Sequence, residues 1–188
     1  MRSQSLALVV VMVGITTACT GQSPYQRVTS EWTKTTSLHH SYQDVLELAA
    51  TFKSPEWRTA YAIKDAEARG LSGPAREQRL AQAQADAAGP LEIELLVTTW
   101  DRRENDLDRG KKSVWRVRML DDAGAEIEPL EVIKDKRPMF VLRAEFPALG
   151  DFATAYVARF PRPAQPPRAL RIRVSSERGG VQLEWPVR

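Results

Sequence analysis

The sequence predicts a mainly β protein, an antiparallel β-sandwich of about seven or eight strands with a two-helix insertion after the first strand. Apolar and polar residues alternate with a period of two from Pro90 onwards, which is the spacing of strands with one buried face. Clusters of turn-forming residues separate these segments at short intervals. Residues 54–88 instead carry helix start and stop signals.

The first predicted strand runs from Asp44 to Phe52, where every second residue is apolar. Ser54, Pro55 and Glu56 then predict a helix start. The serine hydroxyl can cap the first turn, proline needs no N–H there, and the carboxylate faces the positive end of the helix dipole. Gly70 predicts the end of this helix.

A second helix is predicted between Ser72 and Gly89, and Pro90 prevents its continuation. Leu80 is its only large aliphatic residue, and alanines occupy the other candidate inward positions. Such a helix buries little apolar area, so we expect it to lie on the surface.

The predicted strands after the helices share the alternating pattern. They are Leu91 to Trp100, Val114 to Leu120, Ile127 to Ile133, Met139 to Phe146, Phe152 to Phe160, Leu170 to Val174 and Val181 to Trp185. Pro129 interrupts the third of them, which favours a sheet edge. The architecture is immunoglobulin-like in general terms, without the paired cysteines of antibody domains.

The predicted core between the two sheets consists of the apolar residues on one side of each strand. Its main members are Trp115, Phe140, Leu142, Tyr156, Leu183 and Trp185, and Phe152 is assigned to the same side.

The N-terminus has the pattern of a secretory signal, predicted as residues 1–18. Arg2 provides a positive charge, residues 6–15 form a short apolar run, and Thr16 to Ala18 are small residues suited to cleavage. The apolar run is too short for a permanent membrane span. Cys19, the single cysteine of the sequence, follows immediately.

A lone cysteine directly after such a run resembles the lipobox of bacterial lipoproteins. The resemblance implies that Cys19 becomes the acylated first residue of the mature chain, and Thr20 after it implies sorting to the outer membrane. Thr16, three residues before Cys19, departs from the aliphatic residue that is usual at this position of a lipobox. Ordinary secretory cleavage at the same bond stays open, because it also favours small residues.

Residues 19–41 are rich in serine and threonine and are predicted to be a flexible tether, with a short helix that starts near Ser30 as an alternative. Residues 42–188 are predicted to form one domain. The order of lipobox, tether, strand, Ser-Pro helix and alternating β-rich tail resembles small envelope lipoproteins of Gram-negative bacteria. That resemblance implies no activity, ligand or catalytic residue.

The charge balance argues against nucleic acid as a partner. The chain has 27 Lys and Arg against 24 Asp and Glu, and the basic residues form no clustered footprint in the sequence.

Candidate catalytic and metal-binding residues are few. His39 and His40 lie close to Ser37 and Asp44 in the predicted tether, where a catalytic triad cannot be assumed from sequence proximity. The loop from Asp101 to Gly110 carries alternate carboxylates, but its glycine is misplaced for an EF-hand. The basic residues of the same segment can neutralise these carboxylates. We therefore predict no catalytic residue, no metal and no cofactor.

Arginines alternate with the apolar residues of the predicted strands. Arg116, Arg118, Arg171 and Arg173 are candidate ligand-binding residues, because neighbouring strands could gather them into one basic face. Arg143 and Arg159 share this pattern. The alternative is an ordinary solvated face on which they pair with carboxylates across strands. Residues 161–168 are either a polyproline ligand or a stiff connection.

The function expected from the sequence is a non-enzymatic interaction module of the cell envelope. It would be anchored by Cys19 in the outer membrane, face the periplasm and bind an unidentified envelope partner. The alternative is a domain that binds an anionic ligand or lipid headgroup through the arginine face. A hydrolase comes third, and a buried carboxylate pair, or a histidine near a carboxylate in a cleft, would favour it.

Overall fold

The computed structural model describes residues 21–40 and 43–187. These residues form four α-helices: α1 (Pro24–Trp32), α2 (Pro55–Ala68), α3 (Gly73–Ala88) and α4 (Met139–Glu145). They also form nine strands: β1 (Thr33–His40), β2 (Gln43–Phe52), β3 (Leu91–Thr99), β4 (Arg116–Leu120), β5 (Glu126–Ile127), β6 (Glu131–Lys134), β7 (Thr154–Phe160), β8 (Ala169–Ser176) and β9 (Gly179–Pro186). No helix in these ranges is long and apolar enough to cross a membrane.

The strands form two antiparallel sheets, as the mainly β prediction requires. The first sheet has the order β1-β2-β3-β7-β6, and the second has the order β5-β4-β8-β9. Apolar side chains from both sheets belong to one buried cluster, and Phe52 of the first sheet lies 6.4 Å from Trp185 of the second between ring centroids. The arrangement is sandwich-like, with the core between the sheets.

The helix predicted at Ser54 begins where its capping residues place it. Ser54 Oγ accepts a hydrogen bond of 3.1 Å from the Trp57 amide, and Pro55 occupies the first turn of α2. Helix α3 follows and buries only Ala83 among its described side chains, which agrees with a surface helix. Both helices come after the second strand of the chain, since β1 precedes β2.

The structure corrects the tether predicted over residues 19–41. Within it, residues 24–40 form α1 and β1, and β1 pairs with β2 along its whole length. Ser23 and Gln26 form a reciprocal capping box, while Tyr25 and Trp32 supply the buried side of α1. Helix α1 therefore ends close to Ser30, the residue near which the sequence predicted that a short helix would start.

The structure also corrects the strand predicted over Met139 to Phe146, most of which forms α4. Alternation would place Phe140 and Leu142 on one side, but on a helix two positions are about 200° apart. Leu142 is 2% exposed and Phe140 is 76% exposed, so Phe140 is not a core residue. Phe152 is also exposed, because β7 begins only at Thr154.

The other predicted core residues are buried. Trp115, Tyr156, Leu183 and Trp185 all belong to the common apolar cluster. The edge predicted around Pro129 is confirmed as well, because the segment divides into β5 and β6, which lie at one edge of each sheet.

Candidate functional site

The outer face of the first sheet carries the most unusual charged residues of the fold. Glu92 and Glu94 alternate with the inward Leu91 and Ile93 on β3. The aromatic residues of α2 pack over part of this face, so that Glu92 and Glu94 lie between the sheet and the helix.

Glu94 is completely buried at the centre of the sheet. Lys53 Nζ lies 2.9 Å from Glu94 Oε2, but neither carboxylate oxygen has a well-aligned hydrogen bond to any described residue. Burial, together with the nearby Asp135 carboxylate, raises the pKa of Glu94 to about 7 against the opposing effect of Lys53. Glu94 and Asp135 thus form a buried carboxylate pair.

Arg137 connects this pair to α4. Its guanidinium donates to Asp135 Oδ2 at 2.7 Å and to Glu145 Oε2, while Tyr61 donates to Glu145 Oε1 at 2.9 Å. Burial and the Glu145 carboxylate raise the pKa of Tyr61 to about 12. Burial opposes ionisation of Asp135, but hydrogen bonds from Arg137 lower its pKa overall.

A polar cleft of about 250 Å³ opens beside these groups, between the first sheet, α2 and α3. Arg58 donates to Glu92 at 2.9 Å and Arg159 donates to the same carboxylate at 2.6 Å. The lining contains both signs of charge in equal number: Lys53, Arg58, Arg79 and Arg137 against Asp86, Glu92, Asp135 and Glu145. These groups largely neutralise one another.

A second, apolar cleft of about 410 Å³ lies at the neighbouring end of the sandwich. Its apolar lining comes from both sheets, α1 and the proline-rich connection between β7 and β8. The principal residues are Trp32, Phe52, Leu91, Leu170, Pro163, Pro166 and Pro167. Lys53 and Arg58 border both clefts.

The rim of the apolar cleft is polar. Arg162 donates to the carbonyl oxygens of Ala87 and Gly89, the latter at 2.9 Å, and this fixes the guanidinium beside the C-terminal end of α3. Opposite in charge, Glu56 accepts a hydrogen bond of 3.0 Å from Trp32 Nε1. Among the described residues, no carboxylate forms an ion pair with Arg162.

The four candidate arginines lie on the outer face of the second sheet, and the strand register brings Arg118 directly opposite Arg173. All four already have protein partners. Arg116 donates to three backbone carbonyls. The ion pairs on this face include Arg118 with Glu128 at 2.6 Å, Arg171 with Asp122 at 3.5 Å and Arg173 with Glu126 at 3.8 Å. Arg116 and Arg118 line a groove.

The other residues considered from the sequence have ordinary surroundings or lie outside the described ranges. His39 and His40 are exposed at the end of β1, and His39 Nε2 lies 3.0 Å from Ser37 Oγ. In the acidic loop, Asp106 is buried and accepts from Ser113 Oγ at 2.8 Å, which is a structural role. Within the described chain, no three acidic, His or Cys residues are grouped as a metal site. Cys19 lies outside the described residues.

Sequence reasoning missed both clefts. Glu94 has the same alternating position as an exposed strand residue, so local pattern alone predicts a solvated carboxylate. The available signal was on α2, where Trp57 and Tyr61 recur at helical spacing and require an apolar surface. If that helix face is buried, the helix must pack against the outer face of one sheet and cover the side chains there.

A scan of the chain against protein-family models finds no match, and neither does a search of curated proteins.

Proposed function

We propose that this protein is a lipid-anchored, non-enzymatic binding module of the cell envelope, whose ligand lies in the apolar cleft. The observation that carries the proposal is the cleft itself, about 410 Å³ in volume, with an apolar lining and a few charged groups at its rim. Small-molecule sites have this size and composition.

The chemistry of the lining favours a ligand with an apolar body. Trp32, Phe52 and Leu170 offer contact to rings or alkyl chains, while the Arg162 guanidinium at the rim has no carboxylate partner among the described residues. A polar or anionic group at one end of the ligand would meet that guanidinium.

The location rests on the sequence pattern at the N-terminus. The short apolar run followed by Cys19 supports acylation at Cys19, and Thr20 supports sorting to the outer membrane. The mature chain would then face the periplasm. Acylation also accounts for a single cysteine in an oxidising compartment, where an unpaired thiol is unusual.

We propose that the protein is not an enzyme because the buried carboxylate pair is not accessible to a substrate. Glu94 has the pKa expected of a general acid or base, but its side chain is 0% exposed. A substrate cannot reach it, so the pair supports the fold rather than a hydrolytic reaction.

Ligand binding can be tested with 1-anilinonaphthalene-8-sulfonate, which has apolar rings and one anionic group. Ala164 lines the cleft from the exposed proline-rich connection, so Ala164→Trp should fill the cleft and abolish saturable binding. Ala125 is an exposed residue in a turn outside the cleft lining, and Ala125→Trp should bind like wild type. Equal binding by both variants would refute the site.

Anchoring is tested by intact mass spectrometry of the membrane fraction. We expect a mature chain that begins at Cys19 and carries added acyl mass, and we expect Cys19→Ser to be released from the membrane. An unmodified periplasmic product would instead support ordinary secretory cleavage.

A second candidate function is binding of anionic headgroups by the arginine face. The cross-strand position of Arg118 and Arg173 favours it, since like charges placed together create a local positive field. The carboxylates Glu126 and Glu128 on the same face reduce that field.

The finer fold assignment is also a proposal. The chain crosses from the first sheet to the second between β3 and β4, returns between β5 and β6, and crosses again between β7 and β8. These crossings support an immunoglobulin-like general architecture, a resemblance that carries no functional meaning.

A further inference from the structure

We infer that the exposed face of α4 contacts the lipid surface in which the chain is anchored. This inference rests on the proposed acylation of Cys19 and adds an orientation to it. The apolar members of the face are Met139 and Phe140, and the nearby cations are Lys64, Lys136 and Arg143.

The first argument is the short distance between the anchor and the fold. Only residues 20–23 separate Cys19 from Pro24, the first residue of α1. The five Cα–Cα steps from Cys19 to Pro24 span at most about 18 Å when fully extended. The surface next to the start of α1 must therefore lie close to the membrane.

The second argument is that α4 lies at the start of α1. Tyr25, the second residue of α1, donates through its hydroxyl to the Glu145 carbonyl at 2.9 Å. Lys64 Nζ lies 4.2 Å from the centre of the Tyr25 ring and donates to the Ala144 carbonyl at 3.1 Å. These contacts place the C-terminal end of α4 beside Tyr25.

The third argument is the exposed apolar surface of α4. Phe140 is 76% exposed and Met139 is 41% exposed, while Leu142 and Glu145 face the fold. Five residues of helix rise about 7.5 Å, so Phe140 lies within a short distance of the membrane-proximal end of α1. Aromatic residues with a charged surround favour the interface of a bilayer.

Charge supports a lipid surface as the occupant. Lys64 and Lys136 form no ion pair with a described carboxylate, and Arg143 pairs with Asp151 at 2.6 Å. The surroundings of Phe140 thus keep an excess of positive charge. Anionic headgroups attract such a surface over about a Debye length.

The test uses the acylated full-length protein in vesicles of phosphatidylethanolamine and phosphatidylglycerol. Acylation blocks the sulfur of Cys19, so a single new cysteine can be labelled with nitrobenzoxadiazole. The variant Phe140→Cys is compared with Gln182→Cys, an exposed position on the outer side of the second sheet. Neither position is buried, so both variants should fold.

We expect the label at position 140 to shift its emission to shorter wavelength on reconstitution and to be quenched by brominated lipid. The label at 182 should show neither effect. Equal behaviour at both positions in a protein of acylated mass would overturn the inference and leave the anchor intact. A protein without acyl mass would instead contradict the proposed anchor, and mass spectrometry of the same sample separates the two failures.

Discussion

The two outer faces of the sandwich begin from the same sequence pattern and end in different environments. Strand β3 alternates Glu92 and Glu94 with apolar residues, and β4 alternates Arg116 and Arg118 in the same way. Glu94 is 0% exposed, whereas Arg116 is exposed. The exposure of an outward strand residue is therefore decided by what covers the sheet.

The difference has a physical cause in the helices. Trp57 of α2 stacks on Tyr61 at 5.3 Å and on Phe146 at 5.8 Å, and this aromatic group needs an apolar surface. The first sheet supplies it, and the charged side chains beneath become enclosed. In the described ranges, the arginines of the second sheet remain beside carboxylates at the surface, where ion pairs contribute little.

The largest expected effect on stability is at the part of the outer face of the first sheet that α2 packs against, here called the covered face. Trp57→Ala should lower the free energy of unfolding by about 3–5 kcal/mol, because it removes a buried aromatic side chain. Arg173→Ala on the other face should change it by less than about 0.5 kcal/mol. Chemical denaturation measures both. A loss of similar size in the two variants would contradict the difference between the faces.

A second pair of substitutions separates helix from strand at α4. Leu142→Ala should cost about 2–5 kcal/mol, as for other buried leucines. Phe140→Ala should cost less than about 0.5 kcal/mol, because the ring is exposed. A strand would bury both residues, so a large loss from Phe140→Ala would restore the alternating assignment.

Glu94 should make stability depend on pH. Its pKa rises on folding from an ordinary 4.5 to about 7, so the stability it contributes is complete below 4.5 and is lost as pH rises through 7. At 1.36 kcal/mol per pKa unit, the loss is about 3 kcal/mol. The free energy of unfolding of Glu94→Gln should therefore increase relative to that of wild type as pH rises from 5 to about 8. A constant difference between the two proteins would place Glu94 in water.

The smallest effects are expected on the arginine face. Reversal of Arg116, Arg118, Arg171 and Arg173 to Glu should leave the fold largely intact, because these side chains point away from the core. If the face binds anionic lipid, wild type should bind vesicles in low salt and lose binding in high salt, and the reversed variant should not bind. Equal binding by both would exclude this face.

Local chemistry predicts much of this fold. Ser54 and Pro55 mark the start of α2, and alternation defines β3, β4, β8 and β9, because caps and burial periods act over a few residues. Helix α4 was missed because seven residues with mixed polarity fit either period. The capping box at Ser23 was available, but the polar composition of its surroundings favoured a tether.

The candidate site was less accessible to sequence reasoning. The apolar cleft combines α1, β2, β3 and the proline-rich connection, which are far apart in the chain. Glu94 lies on β3 and Asp135 directly follows β6, and these two strands come near each other only through their pairing with β7. Such contacts depend on tertiary packing, so no local pattern encodes them.

The covered face is tested most directly by titration of the Glu94 side-chain carboxyl carbon with nuclear magnetic resonance. Burial beneath α2 predicts a midpoint near pH 7. Glu94→Gln identifies the signal by its disappearance. A midpoint near 4.5 would show a solvated carboxylate and would contradict the enclosure of this face.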